Sequence, residues 1–492
     1  MFPNREALAL LLIAALGTAA QAAAAGTAPC RIEGVPTELQ CGKLARPLDP
    51  AKPQGTQIDI HYLVVPAMAR NKLPDPVLLL AGGPGQSAIQ VAPLVLPRLA
   101  RLNNRRDLVF IDQRGTGRSA PLQCADDSKL PTAEALDGRA MQQRLEQCRA
   151  DLQKLPQGDL RQYTTAIAMQ DFDAVRAALG TAQWNLLGAS YGTRAALEYL
   201  RQFPQQVRRS VIDGVAPPDM VLPASFSTDG QAALDAVFKS CEGDAACQAR
   251  YPALRAEWAG LLQGLPRSIS LQHPLSGEPE RLTLTREMLL RAVRMPLYVP
   301  SQAAALPAAI HAAHQGRFEG IAGLAGAISG KSARLAMGMH FSVVCAEDMP
   351  RLAQSSDPPG SDFGRSDAEL YGQVCKHWPR GEVPAAFYSL PPAQTPVLLL
   401  SGGADPATPP RHGERVAKAL GAQALHVVVP EAGHGVMGIG CMGEVLTRFI
   451  DAKADAEALK VDASCATRIP RPTPFLPVQA ASSAAGTEAS KP

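Results

Sequence analysis

Short apolar runs rich in aliphatic and β-branched residues alternate with helix-patterned stretches along this chain. That is the pattern of a mostly parallel sheet covered by helices on both faces. The predicted strands are 58–65, 77–81, 108–112, 185–188, 210–213, 397–401 and 426–430, with helical patterns such as 167–179 and 193–203 between them. The alternation stops after Asp213. From about 217 to 391 the chain reads as Ala- and Leu-rich helical segments punctuated by Pro and Gly, and the β/α pattern resumes at Pro396. One sheet domain with a large helical cap inserted between late strands accounts for this, and 492 residues leave room for both. Such a cap commonly covers the carboxyl ends of the strands, where open α/β sheets hold their ligands.

The segment Gly188-Ala189-Ser190-Tyr191-Gly192 follows the apolar run Trp184-Asn185-Leu186-Leu187 and opens a helical pattern. A G-x-S-x-G string alone is weak. A strand before it and a helix after it are what the nucleophile elbow of an α/β-hydrolase fold requires. The tight turn lifts the serine hydroxyl above the sheet and sets it at a helix N-terminus, where developing negative charge is favoured. A serine nucleophile needs a base, and the base an orienting acid, in the chain order Ser, Asp or Glu, His. Of nine histidines His434 is best placed, between Gly433 and Gly435 directly after the last predicted strand. His61, His340 and His377 lie in an early strand or in the cap and read as structural.

Two aspartates compete for the acid. Asp405 follows the strand 397–401 in Gly402-Gly403-Ala404-Asp405-Pro406, one strand before the histidine, and is preferred. Asp213, at the end of the strand 210–213, is the rival. The oxyanion hole calls for preset backbone N–H groups. One is that of Tyr191, and the other is expected from Gly83, with Gly82 as neighbour, in Leu80-Ala81-Gly82-Gly83-Pro84-Gly85. Asp112-Gln113-Arg114-Gly115 ends a strand and is expected to brace the loops around the site.

The ends and the cysteines speak to location. Arg5, the apolar run 7–16 and the small residues around Ala20-Gln21-Ala22 form a signal-peptide pattern whose apolar core is too short to span a bilayer. Ten cysteines, an even number, suit disulfides in an oxidising compartment. They fall into nearest-neighbour pairs, Cys30–Cys41, Cys124–Cys148, Cys241–Cys247, Cys345–Cys375 and Cys441–Cys465, although spacing alone does not decide connectivity. The expected organisation is a signal peptide at 1–25, core at 26–215, cap at 216–391, core again at 392–470 and a disordered tail at 471–492. A net charge of +3 calls for neither nucleic acid nor an anionic membrane as partner, and no membrane insertion is expected once the signal is cleaved.

The segments Gly82-Gly83-Pro84-Gly85, Asp112 to Ser119 and Gly188 to Gly192 resemble those of the proline iminopeptidase family. They are closer to its secreted branch of tripeptidyl aminopeptidase-like hydrolases, and the stretch from Asp405 through His434 to Cys441 is similar to the carboxy-terminal part of that branch. The resemblance implies a secreted or periplasmic peptidase that removes proline or short peptides from N-termini, with no cofactor or metal. It also implies Ser190, Asp405 and His434 as the triad. Two departures weaken strict proline specificity: Ala81 stands where that family usually has His, and Tyr191 where it usually has Trp. An exopeptidase must also bind a free α-ammonium, for which Glu347 and Asp348 beside Cys345 are candidates. A carboxylesterase acting on small esters is the alternative, because triad and oxyanion hole serve either bond. A non-catalytic binding protein with this fold is the third reading.

Overall fold

The computed structural model describes residues 26–127, 130–273, 276–327 and 334–477. The strands are β1 (Ala28–Cys30), β2 (Leu39–Pro47), β3 (Gln57–Val65), β4 (Val77–Leu80), β5 (Leu108–Ile111), β6 (Trp184–Ala189), β7 (Val207–Asp213), β8 (Arg267–Gln272), β9 (Pro279–Leu284), β10 (Val397–Gly402) and β11 (Ala424–Val429). Nine of them form one sheet in the order β1-β2-β3-β5-β4-β6-β7-β10-β11. The first three pairings along it are antiparallel and the rest are parallel.

The parallel strands read as unbroken apolar runs because both of their faces are buried. Side-chain alternation then splits each run between two cores. Leu78, Leu80, Leu186 and Leu399 share one core with the helices α2 (Thr165–Ala178) and α3 (Tyr191–Gln202). Leu79, Leu187, Leu398 and Leu400 share the other with α1 (Ala88–Asn103) and α6 (Met442–Asp451). The early edge was not anticipated. β1 and β2 are partly exposed, mix polar with apolar residues, and owe their pairing to β3 and to the Cys30–Cys41 bridge.

β7 and β10 are parallel neighbours, Ser210 against Val397 and Asp213 against Leu400, so residues 214–396 are an insertion between adjacent strands. Most of it is helical, but β8 and β9 pair as an antiparallel hairpin. The period-2 pattern of Ile269, Leu271, Leu282 and Leu284, buried between more exposed neighbours, makes the hairpin and adds a strand pair to the helical cap that was expected. The insertion has two allegiances. Leu234, Phe238, Trp258, Leu289 and Ile310 build a core of their own. Helices α4 (Met337–Glu347) and α5 (Ser366–His377) instead contribute Phe341, Val343, Cys345 and Cys375 to the main core.

All five disulfides join the nearest-neighbour cysteines. Among the described residues no helix is long and apolar enough to cross a membrane. The signal-peptide segment 1–25 lies outside the described residues, as does 478–492 of the expected tail. Its first residues are not free: Arg471 pairs with Glu431 at 3.6 Å, and the Phe475 N–H donates to the Ala304 carbonyl at 2.8 Å. A charged side chain and an unpaired backbone donor each find a partner there, which composition alone does not reveal.

Candidate active site

Ser190 stands between β6 and α3 with φ 56° and ψ −124°, one of two non-glycine residues with positive φ among the described residues. This conformation costs on the order of 1–3 kcal/mol and persists only where the surroundings impose it. Here they do. The Ser190 N–H donates to the Asp213 carbonyl at 2.9 Å, and its carbonyl accepts from the Thr193 N–H at 2.9 Å and the Thr193 hydroxyl at 2.6 Å. The Thr193 hydroxyl oxygen in turn accepts the Ala216 N–H at 2.8 Å, tying the turn to the loop after β7. Gly192 is obligatory, since a Cβ there would lie 2.0 Å from the Leu80 carbonyl oxygen.

His434 follows β11. Its Nδ1 lies 2.8 Å from Asp405 Oδ2. Asp405 is buried after β10, and its Oδ1 accepts the N–H groups of Ala407 at 2.8 Å and Thr408 at 2.9 Å. The Thr408 hydroxyl donates to Asp405 Oδ2 at 2.8 Å and lies 3.2 Å from His434 Nδ1. Burial alone would raise the Asp405 carboxyl, but the His434 charge and its hydrogen bond, with the two backbone donors, hold it below the usual range. Burial alone would lower His434, but Asp405 lifts it above 6.5, and Asp213 adds to that. The cap completes the mount: the His434 N–H donates to the Tyr298 carbonyl at 3.0 Å, and the Tyr298 ring meets the imidazole edge-on at 5.1 Å.

Asp213 has a different job. Its carboxylate accepts the Val436 N–H at 3.0 and 2.8 Å and the Met437 N–H at 2.7 Å, so it pins the loop just past His434. Burial pushes its pKa up to about 6, against those backbone donors.

The glycine loop after β4 reaches the serine. A Cβ on Gly82 would lie 3.2 Å from Ser190 Cβ, and Gly83 has φ +112°, which few residues but glycine adopt. Asp112 secures the foot of this loop. It accepts the Ser87 hydroxyl at 2.5 Å and the N–H groups of Ile89 and Arg118 at 3.1 Å, while Ser87 caps α1. Gln113 donates to the Tyr191 hydroxyl at 3.0 Å, and Arg114 grips Asp171 through two hydrogen bonds of 2.7 and 3.0 Å. Each residue thus braces a neighbouring element.

Glu347 and Asp348, the expected α-ammonium ligands, are turned inward. Both are essentially buried. Glu347 accepts the Thr165 N–H at 2.7 Å and the Thr165 hydroxyl at 3.0 Å. Asp348 is held by both terminal nitrogens of Arg194 at 3.0 Å and by the Leu222 N–H. Their oxygens are occupied by the chain's own donors, so the role expected at a substrate ammonium does not fit this geometry. A separate apolar cavity of about 290 Å³ lies between the insertion and the short helix Thr132–Leu136, lined by residues including Leu136, Ile269, Leu284 and Phe318, and none of Ser190, Asp405 and His434 borders it.

Thr193, Thr408, Tyr298 and Thr165 were not picked out beforehand. Thr408 carried a faint signal, three residues after Asp405 in a Pro-bounded loop. Tyr298 and Thr165 carried none, because each reaches the site from a distant element.

Two stretches of the chain match known families. Residues 75–243 match the alpha/beta hydrolase fold family, and residues 361–465 match the TAP-like protein family. The tripeptidyl aminopeptidase of Streptomyces coelicolor is 34% identical over 196 residues, 37% of this chain and 36% of that protein. Serine protease Hip1 of Mycobacterium tuberculosis is 33% identical over 209 residues, 39% of each chain. Carboxylesterase B of Mycobacterium tuberculosis is 27% identical over 418 residues, 78% of each. The first two alignments thus span little more than a third of those relatives' length. Among solved structures, proline iminopeptidase of Mycobacterium smegmatis aligns with 86% of this chain and all of its own at 15% identity and a TM-score of 0.37. The Ser190 turn falls within the first matched stretch and the Asp405–His434 pair within the second, and the chain has the α/β-hydrolase fold.

Proposed function

We propose that this protein is an exported serine hydrolase that cleaves peptide bonds near free N-termini through an acyl-enzyme on Ser190. Ser190 Oγ bonds to the scissile carbonyl carbon while its proton passes to His434 Nε2. The N–H groups of Tyr191 and Gly83 receive the developing oxyanion. The proton then moves from His434 to the departing amine as the C–N bond breaks. Water gives a proton to His434 and attacks the acyl carbon, and Ser190 leaves with that proton restored. Asp405 holds the imidazole in the tautomer with its free nitrogen toward Ser190. The insertion, read as a cap over residues 216–391, roofs the site.

The observation that carries this reading is the 2.8 Å contact between His434 Nδ1 and Asp405 Oδ2, on a sheet whose Ser190 is forced to positive φ. The preference for peptides draws on the relatives named tripeptidyl aminopeptidase and serine protease. A secreted or periplasmic destination draws on the signal-peptide pattern at 1–25 and on five disulfides.

A second reading, hydrolysis of small carboxylic esters, is favoured by the carboxylesterase relative whose alignment runs through 78% of the chain. One panel separates the two. Tripeptidyl and prolyl p-nitroanilides, with free and blocked N-termini, are compared with short p-nitrophenyl esters. Faster turnover of the free anilides is expected. Equal cleavage of free and blocked peptides would remove the aminopeptidase reading, and turnover of esters alone would establish the second. Fluorophosphonate labelling, lost in Ser190→Ala, checks the nucleophile.

A further inference from the structure

We propose that the inserted helix α4 is a strut that sets both arms of the oxyanion hole, with His340 and Glu347 as its positioning residues. The inference rests on the acyl-enzyme reading above and goes beyond it, because both residues are buried behind the oxyanion donors.

The two residues are seven apart. In an α-helix that places them on one side, separated by roughly 10 Å along the axis. At the first end, the Ala336 N–H donates to the Gly85 carbonyl at 2.9 Å, and His340 Nδ1 lies 3.1 Å from the Pro84 carbonyl oxygen. That carbonyl can only accept, so Nδ1 carries the proton. Nε2 is then the acceptor, and it takes the Tyr371 hydroxyl at 2.9 Å. Burial keeps the ring neutral, its pKa pulled down to about 4, so the donor stays on Nδ1 throughout the neutral range. Pro84 follows Gly83 directly, so this contact holds the loop that carries one oxyanion N–H.

At the other end Glu347 accepts both the N–H and the hydroxyl of Thr165. The Thr165 proton being committed to Glu347, its oxygen accepts from the Tyr191 hydroxyl at 2.6 Å, whose own oxygen takes the Gln113 amide. Tyr191 carries the other oxyanion N–H. One rigid element therefore reaches both donors from behind.

The strut is itself anchored. Cys345 is bonded to Cys375 of α5, the Trp378 indole donates to Ser342 Oγ at 3.1 Å, and the Tyr388 hydroxyl donates to the Glu347 carbonyl at 2.8 Å. Burying a histidine and a glutamate in such a core is costly unless their hydrogen bonds are met, and here all but the Tyr371 bond go to an oxyanion arm or its brace. His340, set aside from the sequence as a structural cap histidine, belongs to this arrangement.

The test compares His340→Leu with His340→Asn, whose amide can occupy the Nδ1 position and still donate to Pro84. His340→Leu is expected to lower kcat about 10- to 100-fold with KM changed less than about 2-fold, below the loss on removing an oxyanion donor outright. It should weaken a peptide aldehyde, which binds as a tetrahedral adduct, by the same factor as kcat/KM. His340→Asn should recover most of both. Glu347→Gln and Tyr191→Phe should shift kcat and aldehyde affinity in the same direction. A loss carried by KM with aldehyde affinity unchanged would overturn the proposal, as would His340→Asn behaving like His340→Leu. If His340→Leu does not fold, Tyr371→Phe decides in its place: a several-fold fall in kcat at constant KM supports the strut, and wild-type kinetics overturns it. Wild-type turnover that survives Ser190→Ala would instead sink the acyl-enzyme reading itself.

Discussion

The hydroxyl of Thr408 donates to Asp405 Oδ2 at 2.8 Å and thereby completes a carboxylate that also receives two backbone N–H groups and the His434 imidazole. Such a carboxylate cannot rotate without breaking several bonds, so it fixes the plane in which the imidazole lies. Thr408→Ala removes one hydrogen bond to the charged carboxylate, worth about 1.5–3 kcal/mol in all, only part of which falls on the transition state. A fall in kcat of roughly 5- to 10-fold, with folding intact, is the expected steady-state result. Unchanged kcat would show that the backbone donors suffice.

The two aspartates predict opposite phenotypes. Asp405→Asn is expected to lower kcat by about 10³- to 10⁴-fold while leaving the unfolding midpoint close to that of the wild type, since the amide stabilises the wrong tautomer. Asp213→Asn leaves a donor NH₂ where the Val436 and Met437 N–H groups now find an acceptor. It should cost about 1–3 kcal/mol in urea unfolding, with a smaller loss of turnover. The reverse pattern would exchange their roles.

The pH profile follows from the His434 shift. The imidazole must be neutral to accept the serine proton, and Asp405 lifts its pKa above 6.5 against burial. The acidic limb of kcat/KM is therefore expected above pH 6.5. A raised histidine also contributes stability that is full below its unfolded pKa and is lost as pH rises through the folded one. In residual activity of Asp405→Asn the limb should move to lower pH, and a limb that stays put would assign it to another group.

Strain at Ser190 is measurable. Glycine adopts φ 56° and ψ −124° without the strain that serine and alanine carry there. Ser190→Gly should therefore be more stable than Ser190→Ala by roughly 1 kcal/mol in thermal or urea unfolding, with both inactive. Equal stabilities would mean that the turn stores no strain.

Two bridges differ in the loop they close, 30 residues for Cys345–Cys375 and 6 for Cys241–Cys247. Replacing each pair by serine should cost about 3–4 kcal/mol for the first and about 2 for the second on loop entropy alone. The first also anchors α4, so its loss should reduce kcat as well as stability. An activity loss confined to the second pair would contradict that.

What the sequence determined by itself was everything encoded locally. Strand, G-x-S-x-G and helix occur within 184–203, so the Ser190 turn could be read without knowing the fold, and sheet alternation made the core strands visible. The cysteines paired with their nearest neighbours, which short loops favour. Tertiary structure decided the rest, because those contacts join residues far apart in the chain. Asp213 ends a strand and Asp405 follows one, and only the register of β7, β10 and β11 sends one carboxylate to the imidazole and the other to the Val436 N–H. Glu347 and Asp348 look like a solvated or substrate-facing acidic pair until Thr165 and Arg194 are brought against them from 182 and 154 residues away. Hydrophobic pattern places a residue inside or outside; which buried donor meets which acceptor is set by packing, and that is where the strut beneath the oxyanion hole arises.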